Sequence, residues 1–154
     1  MKISVILEKK HNRHVVTIRP DTTLETALHY MKTEKIGCLV VSLDGKSPVG
    51  ILSARDVVYG LGSSQPGKGL LYGTTLRETP VSEIMTNHVE TCTPDDTLKD
   101  VMEKMLRWHY LHVPVVNDGV LCGVISIDDV VRFGVEQMEM EANVLRDTLI
   151  RRGV

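Results

Sequence analysis

Cysteines, long apolar runs and excess charge are all scarce in this 154-residue sequence. Its three cysteines are far apart and form no CxxC pair, so the sequence predicts neither a disulfide framework nor a zinc site. No stretch reaches the roughly 18 apolar residues that span a membrane. The apolar run at the start is too short for a signal peptide. We therefore expect a cytoplasmic protein without a membrane partner.

Further classes of function are disfavoured by charge and by missing motifs. The net charge of −2 argues against broad electrostatic binding of nucleic acid. Nothing resembles a catalytic triad or the phosphate-binding G-x-x-x-x-G-K-[ST] loop. Histidines three residues apart, His11 with His14 and His109 with His112, lack the additional ligands that a metal site usually needs. We expect neither an enzyme nor a metal requirement.

What the sequence does contain is an internal repeat. Residues 20–31 match residues 94–105 at an offset of 74. One residue then drops out, and a Gly-x-x-Ser-x-x-Asp signature covers residues 50–56 in the first copy and 123–129 in the second. Two copies of roughly fifty residues are too few for a solenoid, so they predict two units related by a pseudo-twofold axis.

The sequence of each copy predicts the same order of strands and helices. A short β-branched run is followed by a Pro-Asp turn and by apolar residues at i, i+3, i+4 and i+7, which indicate one face of a helix. Thr22 with Glu25 fits a capping box at the first of these helices. An Asp-Gly turn between apolar runs predicts a hairpin, and a second helix begins at the Ser-x-x-Asp. The result is an α/β (α+β) fold with the order β-α-β-β-α, twice.

The pattern divides the chain into four segments. Residues 1–62 hold the first copy with an N-terminal segment, 63–80 form a linker, 81–134 hold the second copy, and 135–154 form an amphipathic helix. The apolar stripe of this helix repeats at intervals of three and four residues. It consists of Val135, Met138, Ala142, Leu145 and Leu149. The helix packs either on its own domain or against a second subunit.

The Gly-x-x-Ser-x-x-Asp signature has a structural and a chemical interpretation. Ser-x-x-Asp is a common helix start, in which the serine caps free N–H groups and the acid complements the helix dipole. Two copies in matched places, each after a strand and a glycine, also favour a ligand site. A helix N-terminus and a serine hydroxyl can bind phosphate, while the aspartate can accept both hydroxyls of a ribose. The glycine lets a ligand or a backbone approach closely.

The signatures, with the segments Lys35 to Val41 and Val81 to Thr86, resemble a tandem CBS-domain pair, a Bateman module. The resemblance covers about residues 14–134 and is especially close to small stand-alone bacterial proteins that end in one extra helix. It implies two CBS repeats around a pseudo-twofold axis, two clefts between them and a homodimer. It also implies a regulatory module that acts on a partner enzyme or transporter. An enzyme is disfavoured because the repeats take up the chain and leave no catalytic domain.

In this family the clefts bind AMP, ADP, ATP, NAD(H) or S-adenosylmethionine. The resemblance places these residues in cleft one: Ser53, Arg55 and Asp56 with Thr91, Tyr110 and His112. It places these in cleft two: Ser126 and Asp129 with Thr17, Ile36, Gly37 and Cys38. Leu111 stands where relatives often have an arginine, and Asp128 stands where the first copy has Arg55. The reduced positive charge favours AMP over ATP; the alternative function is a scaffold with empty clefts that serves dimerisation.

Overall fold

The computed structural model describes residues 1–10, 15–62 and 78–153. Within these ranges the helices and strands follow one another in two similar sets. The order is α1 (Ile3–Lys9), β1 (Thr17–Ile18), α2 (Leu24–Glu34), β2 (Cys38–Ser42), β3 (Pro48–Ser53), α3 (Ala54–Gly62), α4 (Leu98–Trp108), β4 (His112–Asn117), β5 (Val120–Ser126) and α5 (Ile127–Arg151). The predicted mixed fold of two repeats with a C-terminal helix is confirmed. Most of the predicted linker lies outside the described residues.

Helices α2 and α4 bury equivalent faces. Their buried residues are Leu24, Ala27 and Met31 in α2, and Leu98, Val101 and Met105 in α4. Each member of the first set lies 74 positions before its counterpart. Each set joins a separate apolar cluster, so each copy has its own core. The repeat in the sequence is therefore a repeat in packing.

The caps of these two helices differ in detail. Helix α2 begins after Thr23, whose hydroxyl accepts a backbone N–H of the first turn. The capping box predicted for Thr22 and Glu25 is therefore wrong by one position. Helix α4 has the full reciprocal arrangement, in which Thr97 and Asp100 each accept the backbone N–H of the other. Both helix starts have one of their free N–H groups bound by the capping threonine.

The strands form two small sheets. Strands β1, β2 and β3 are adjacent in that order, with β1 parallel and β3 antiparallel to β2, whereas β4 and β5 form an antiparallel pair. The first strand predicted for the second copy is reduced to a single bridge between Cys92 and Val115. This bridge pairs the residues that are equivalent to Ile18 and Val41, which are paired in the same way in the first copy. Positive φ angles at Asp118 and Gly119 suit the tight turn between β4 and β5.

The segment that precedes each copy in the sequence packs on the other copy. The N–H of Leu24 donates to the carbonyl of Thr79, and in the second copy the N–H of Leu98 donates to the carbonyl of Met1. Ile3 of α1 is fully buried in the core of the second copy. The N-terminal segment thus adjoins the first copy in sequence and the second copy in space. The predicted boundaries at residues 62, 80 and 134 stay predictions.

Helix α5 is continuous through the predicted boundary between residues 134 and 135. Val130 and Phe133 in its first turns are buried in the core of the second copy. Farther along, the side chains of residues 138–153 are all exposed, and so is Val135. The interpretation in which the apolar stripe packs on its own domain is therefore wrong. None of the helices in the described parts of the chain is long and apolar enough to cross a membrane.

Candidate functional site

Two clefts lie between the copies and share one wall. Cleft one has a volume of about 590 Å³ and cleft two about 610 Å³. Gly37, Leu111 and His112 line both. Gly37 is equivalent to Leu111 in the repeat, and Cys38 is equivalent to His112. The shared wall is therefore built from matched positions of the two copies, close to their pseudo-twofold axis.

Cleft one gathers most of the residues that the sequence assigned to it. The predicted residues in its lining are Ser53, Arg55, Asp56, Tyr110 and His112. Thr91 is not part of the lining. The prediction missed Thr86, His88 and Trp108, which also line the cleft. Thr86 ends one of the motifs that resemble the family, but nothing in its spacing shows which carboxylate it meets.

Asp56 is held at the start of α3 from both sides. Its Oδ2 accepts the N–H of Ser53 at 2.8 Å and the hydroxyl of Ser53 at 2.9 Å. Its Oδ1 accepts the hydroxyl of Thr86 at 2.8 Å. The serine in turn accepts the N–H of Asp56 at 3.2 Å. The helix cap expected from Ser-x-x-Asp is thus present, and Thr86 fixes the carboxylate that lines the cleft.

The lining of cleft one also contains a cation and aromatic rings. Arg55 donates through Nη1 to the carbonyl of His109, 2.8 Å away, where α4 ends. The rings of His88 and Trp108 lie 4.5 Å apart between centroids. The hydroxyl of Tyr110 donates to the carbonyl of His88 at 2.7 Å. These contacts hold a guanidinium and aromatic rings in the lining of cleft one.

Cleft two is built around the same kind of helix cap, but its signature aspartate is not part of its lining. The predicted residues that line it are Ser126, Ile36, Gly37 and Cys38. Thr17 and Asp129 do not belong to the lining; Asp129 is only 6% exposed. Ser126 donates its N–H and its hydroxyl to Asp129 Oδ2 at 2.8 and 3.0 Å, which repeats the cap of α3 at the start of α5.

A lysine covers the aspartate of cleft two. The Lys10 ammonium donates to Asp129 Oδ2 and to the Val124 carbonyl, both at 2.7 Å. In cleft one the two equivalent acceptors are filled by the hydroxyl and the backbone N–H of Thr86. One charged side chain thus replaces two neutral donors. The Lys10 side chain is only 18% exposed.

The signature glycines make room for protein side chains. A Cβ at Gly50 would lie 2.5 Å from Sδ of Met85, and one at Gly123 would lie 2.6 Å from Cδ2 of Leu7. Real Cβ atoms do not approach so closely, so a larger residue would displace these side chains. Because glycine has no side chain, Met85 can pack directly on β3 at Gly50, and Leu7 can pack directly on β5 at Gly123.

The family model of the CBS domain matches residues 8–63 and 81–136, which is most of the chain. The chain belongs to the CBS domain family. The two matches coincide with the two copies described above, so the protein is a CBS pair, as the resemblance implied.

Several relatives share this arrangement. The CBS-domain containing protein ATU1752 from Agrobacterium tumefaciens is 34% identical, with a TM-score of 0.74 over 86% of this chain and 98% of that one. The CBS domain protein PAE2072 from Pyrobaculum aerophilum, solved in complex with AMP, is 26% identical, with a TM-score of 0.69 over 84% of this chain and 89% of that one. An uncharacterised 17.7 kDa protein of Acidianus ambivalens is 30% identical over 85% of this chain and 71% of its own length.

Metal binding gains no support from the clefts. In residues 1–10, 15–62 and 78–153, no three His, Cys, Asp or Glu side chains are grouped so that they could hold a metal ion. His11 and His14 lie outside the described residues. His112 contacts the shared wall of the CBS pair at Gly37, where a Cβ would lie 3.4 Å from Nε2.

Burial changes the acidity of His112 in the shared wall and of Cys38, its counterpart in the lining of cleft two. It raises the pKa of the Cys38 thiol to about 12, which keeps this thiol protonated at neutral pH. It also lowers the pKa of His112 below its usual 6.5, although Asp128 and Asp129 act in the opposite direction. The wall between the clefts of the CBS pair is therefore uncharged at pH 7.

We expect acid to destabilise the CBS pair through His112. Because its pKa is lower in the folded than in the unfolded chain, stability is fully present above about pH 6.5 and is lost as the pH falls through the folded-state pKa. Substituting His112→Gln should flatten the fall of the thermal unfolding midpoint between about pH 7 and pH 5. Circular dichroism measures it, with the exposed His29→Gln as control. Equal slopes in wild type and His112→Gln would contradict this role.

Proposed function

We propose that this CBS pair is a regulatory module that binds an adenine nucleotide in cleft one, AMP in preference to ATP. The observation that carries the proposal is the grouping of a helix start, an acid and a cation in one cleft: Ser53, Asp56 and Arg55. The first turn of α3 suits a phosphate, and Arg55 adds a positive charge. Asp56 suits the two hydroxyls of a ribose.

The remaining lining of cleft one suits a flat base. Ile51, Tyr59, Trp108 and Tyr110 supply aliphatic and aromatic surface. An adenine ring stacks on such surfaces with little demand on sequence. The AMP held by the Pyrobaculum aerophilum relative supports a ligand of this class.

Charge supports a ligand with few phosphates. Arg55 is the one lysine or arginine in the lining of cleft one among the described residues. Leu111 supplies no charge, and in cleft two Glu8 and Asp128 offset the positive charges of Lys10 and Lys35. Three phosphates would remain poorly balanced, so AMP ranks ahead of ADP, ATP and NAD(H), and S-adenosylmethionine lacks the phosphate that Arg55 suits.

The consequence of binding would be transmitted to another protein. The two copies contribute opposite walls of each cleft. A ligand that contacts both walls therefore favours those arrangements of the two copies that bind it best. We propose that a partner enzyme or transporter in the cytoplasm reads this change. A second candidate function, a dimerising scaffold, is favoured by the exposed apolar stripe of α5.

A thermal-shift screen with AMP, ADP, ATP, NAD, NADH and S-adenosylmethionine tests the proposal. We expect AMP to raise the unfolding midpoint most, by several degrees, because a ligand at about 100 times its dissociation constant stabilises by about 2.7 kcal/mol. The matched control is 2′-deoxy-AMP, which lacks one ribose hydroxyl and should give a smaller shift. No shift with any adenosine ligand would favour the scaffold function.

A further inference from the structure

The aspartate of each Gly-x-x-Ser-x-x-Asp signature has a different donor from outside the signature: Thr86 for Asp56 and Lys10 for Asp129. We infer that Lys10 closes cleft two to an adenine nucleotide, so that the ligand is restricted to cleft one. This inference rests on the proposed function. It assigns to a residue of the N-terminal segment the choice between two clefts that are otherwise built alike.

Lys10 occupies the place that a ribose would need. Asp129 Oδ2 already accepts the N–H and hydroxyl of Ser126 and the ammonium of Lys10. The Asp129 carboxylate is only 8% exposed and is not part of the lining of cleft two, so a ribose hydroxyl reaches it from the cleft only where one of these donors moves away. Ser126 is fixed by the helix cap. The donor to be displaced is therefore Lys10.

Displacement of Lys10 would separate a sheltered ion pair. The Lys10 and Asp129 side chains are only 18% and 8% exposed. Separating two charges in such surroundings is unfavourable unless the ligand supplies new partners for both. In cleft one the equivalent donor is the hydroxyl of Thr86, which is neutral and can rotate to donate or accept. A ribose can therefore join Asp56 without breaking an ion pair.

The fold holds Lys10 in this position. Ile3 and Ile6 of α1 are fully buried in the second copy, and the N–H of Lys10 donates to the carbonyl of Ile6 at 3.0 Å. The neighbouring Lys9 points to another partner, Glu136, at 2.6 Å, where both side chains are about two-fifths exposed. Lys10 is thus anchored by a packed helix, and Lys9 provides a matched residue outside the cleft.

Two natural reporters distinguish the clefts. Trp108 is the single tryptophan and lines cleft one. Cys122 is exposed and lines cleft two. The other cysteines, Cys38 and Cys92, are buried, and burial raises the pKa of each thiol to about 12. Tryptophan fluorescence therefore reports on cleft one, and maleimide labelling of Cys122 reports on cleft two.

The experiment titrates AMP into wild type, Lys10→Ala and the control Lys9→Ala by calorimetry, with both reporters followed. We expect one nucleotide per chain in wild type and Lys9→Ala, a change in Trp108 fluorescence, and unchanged labelling of Cys122. Lys10→Ala should bind a second nucleotide that slows Cys122 labelling several-fold. If circular dichroism shows that Lys10→Ala does not fold, Lys10→Met keeps the alkyl chain and removes the charge.

The outcomes separate this inference from the proposed function. Two nucleotides per wild-type chain, or protection of Cys122 in wild type, would overturn the role of Lys10 while nucleotide binding stands. A single nucleotide in both lysine 10 variants would overturn it as well. Absence of AMP binding in every variant would overturn the proposed function and this inference together.

Discussion

Substituting Asp56→Ala is expected to weaken AMP binding at least about tenfold. The carboxylate is placed to accept the ribose hydroxyls, and a hydrogen bond to a charged group contributes about 1.5–3 kcal/mol. A factor of ten corresponds to about 1.4 kcal/mol, so the loss of one such bond reaches it. Calorimetric titration of AMP into wild type and variant measures the change.

The controls separate binding from folding. Asp56→Ala also removes the acid of the cap at the start of α3 and the acceptor of the Thr86 hydroxyl, so it lowers stability as well. Asp100→Ala removes the same kind of cap from α4, and Asp100 lines neither cleft. It should also lose stability but keep its affinity for AMP. Asp129→Ala should affect AMP less than Asp56→Ala because Lys10 covers Asp129. Equal affinities in Asp56→Ala and Asp100→Ala would contradict the assigned role.

Substituting Leu145→Glu is expected to raise the dissociation constant of the proposed homodimer at least about a hundredfold. In the dimer that we propose, the stripes of two α5 helices cover each other, and each buried leucine contributes about 1.5–3 kcal/mol. Because both subunits of a homodimer carry the substitution, the free energy of dimerisation is weakened by about 3–6 kcal/mol. Light scattering after gel filtration distinguishes the 17.2 kDa chain from its dimer.

Val144→Glu provides the matched control for this experiment. Val144 is 65% exposed, as is Leu145, but it lies beside the stripe rather than in it. It should leave the dimer intact. Dissociation by both substitutions would indicate an effect of added charge alone. A deletion of residues 135–154 that leaves the chain dimeric would refute a role for α5.

The repeat predicted most of the fold because its physical signals are local. The face of α2 follows from the spacing of apolar residues, and the hairpins follow from Asp-Gly turns that lie between apolar runs. The exchange of the flanking segments could not be predicted, because it depends on long-range packing such as Met85 against Gly50 and Leu7 against Gly123. The spacing of the apolar stripe on α5 also did not decide between packing on its own domain and packing against a second subunit.

The sequence located the clefts but not all of their walls. Ser53 and Asp56 were found because a helix cap has a fixed spacing. Thr86 and Lys10 were not found, since each reaches its carboxylate from a segment distant in the chain. Thr17, predicted for cleft two, is not in its lining. Whether a strand residue lines a cleft depends on where the strand lies in the folded chain, and the spacing of residues in the sequence does not specify this.

A crystal structure of the chain grown with AMP tests the central claim most directly. We expect the nucleotide in cleft one, with its ribose hydroxyls within hydrogen-bond distance of Asp56, its phosphate near Arg55 and the start of α3, and Lys10 still bound to Asp129. AMP absent from both clefts, or bound in cleft two with Lys10 displaced while cleft one is empty, would contradict the account.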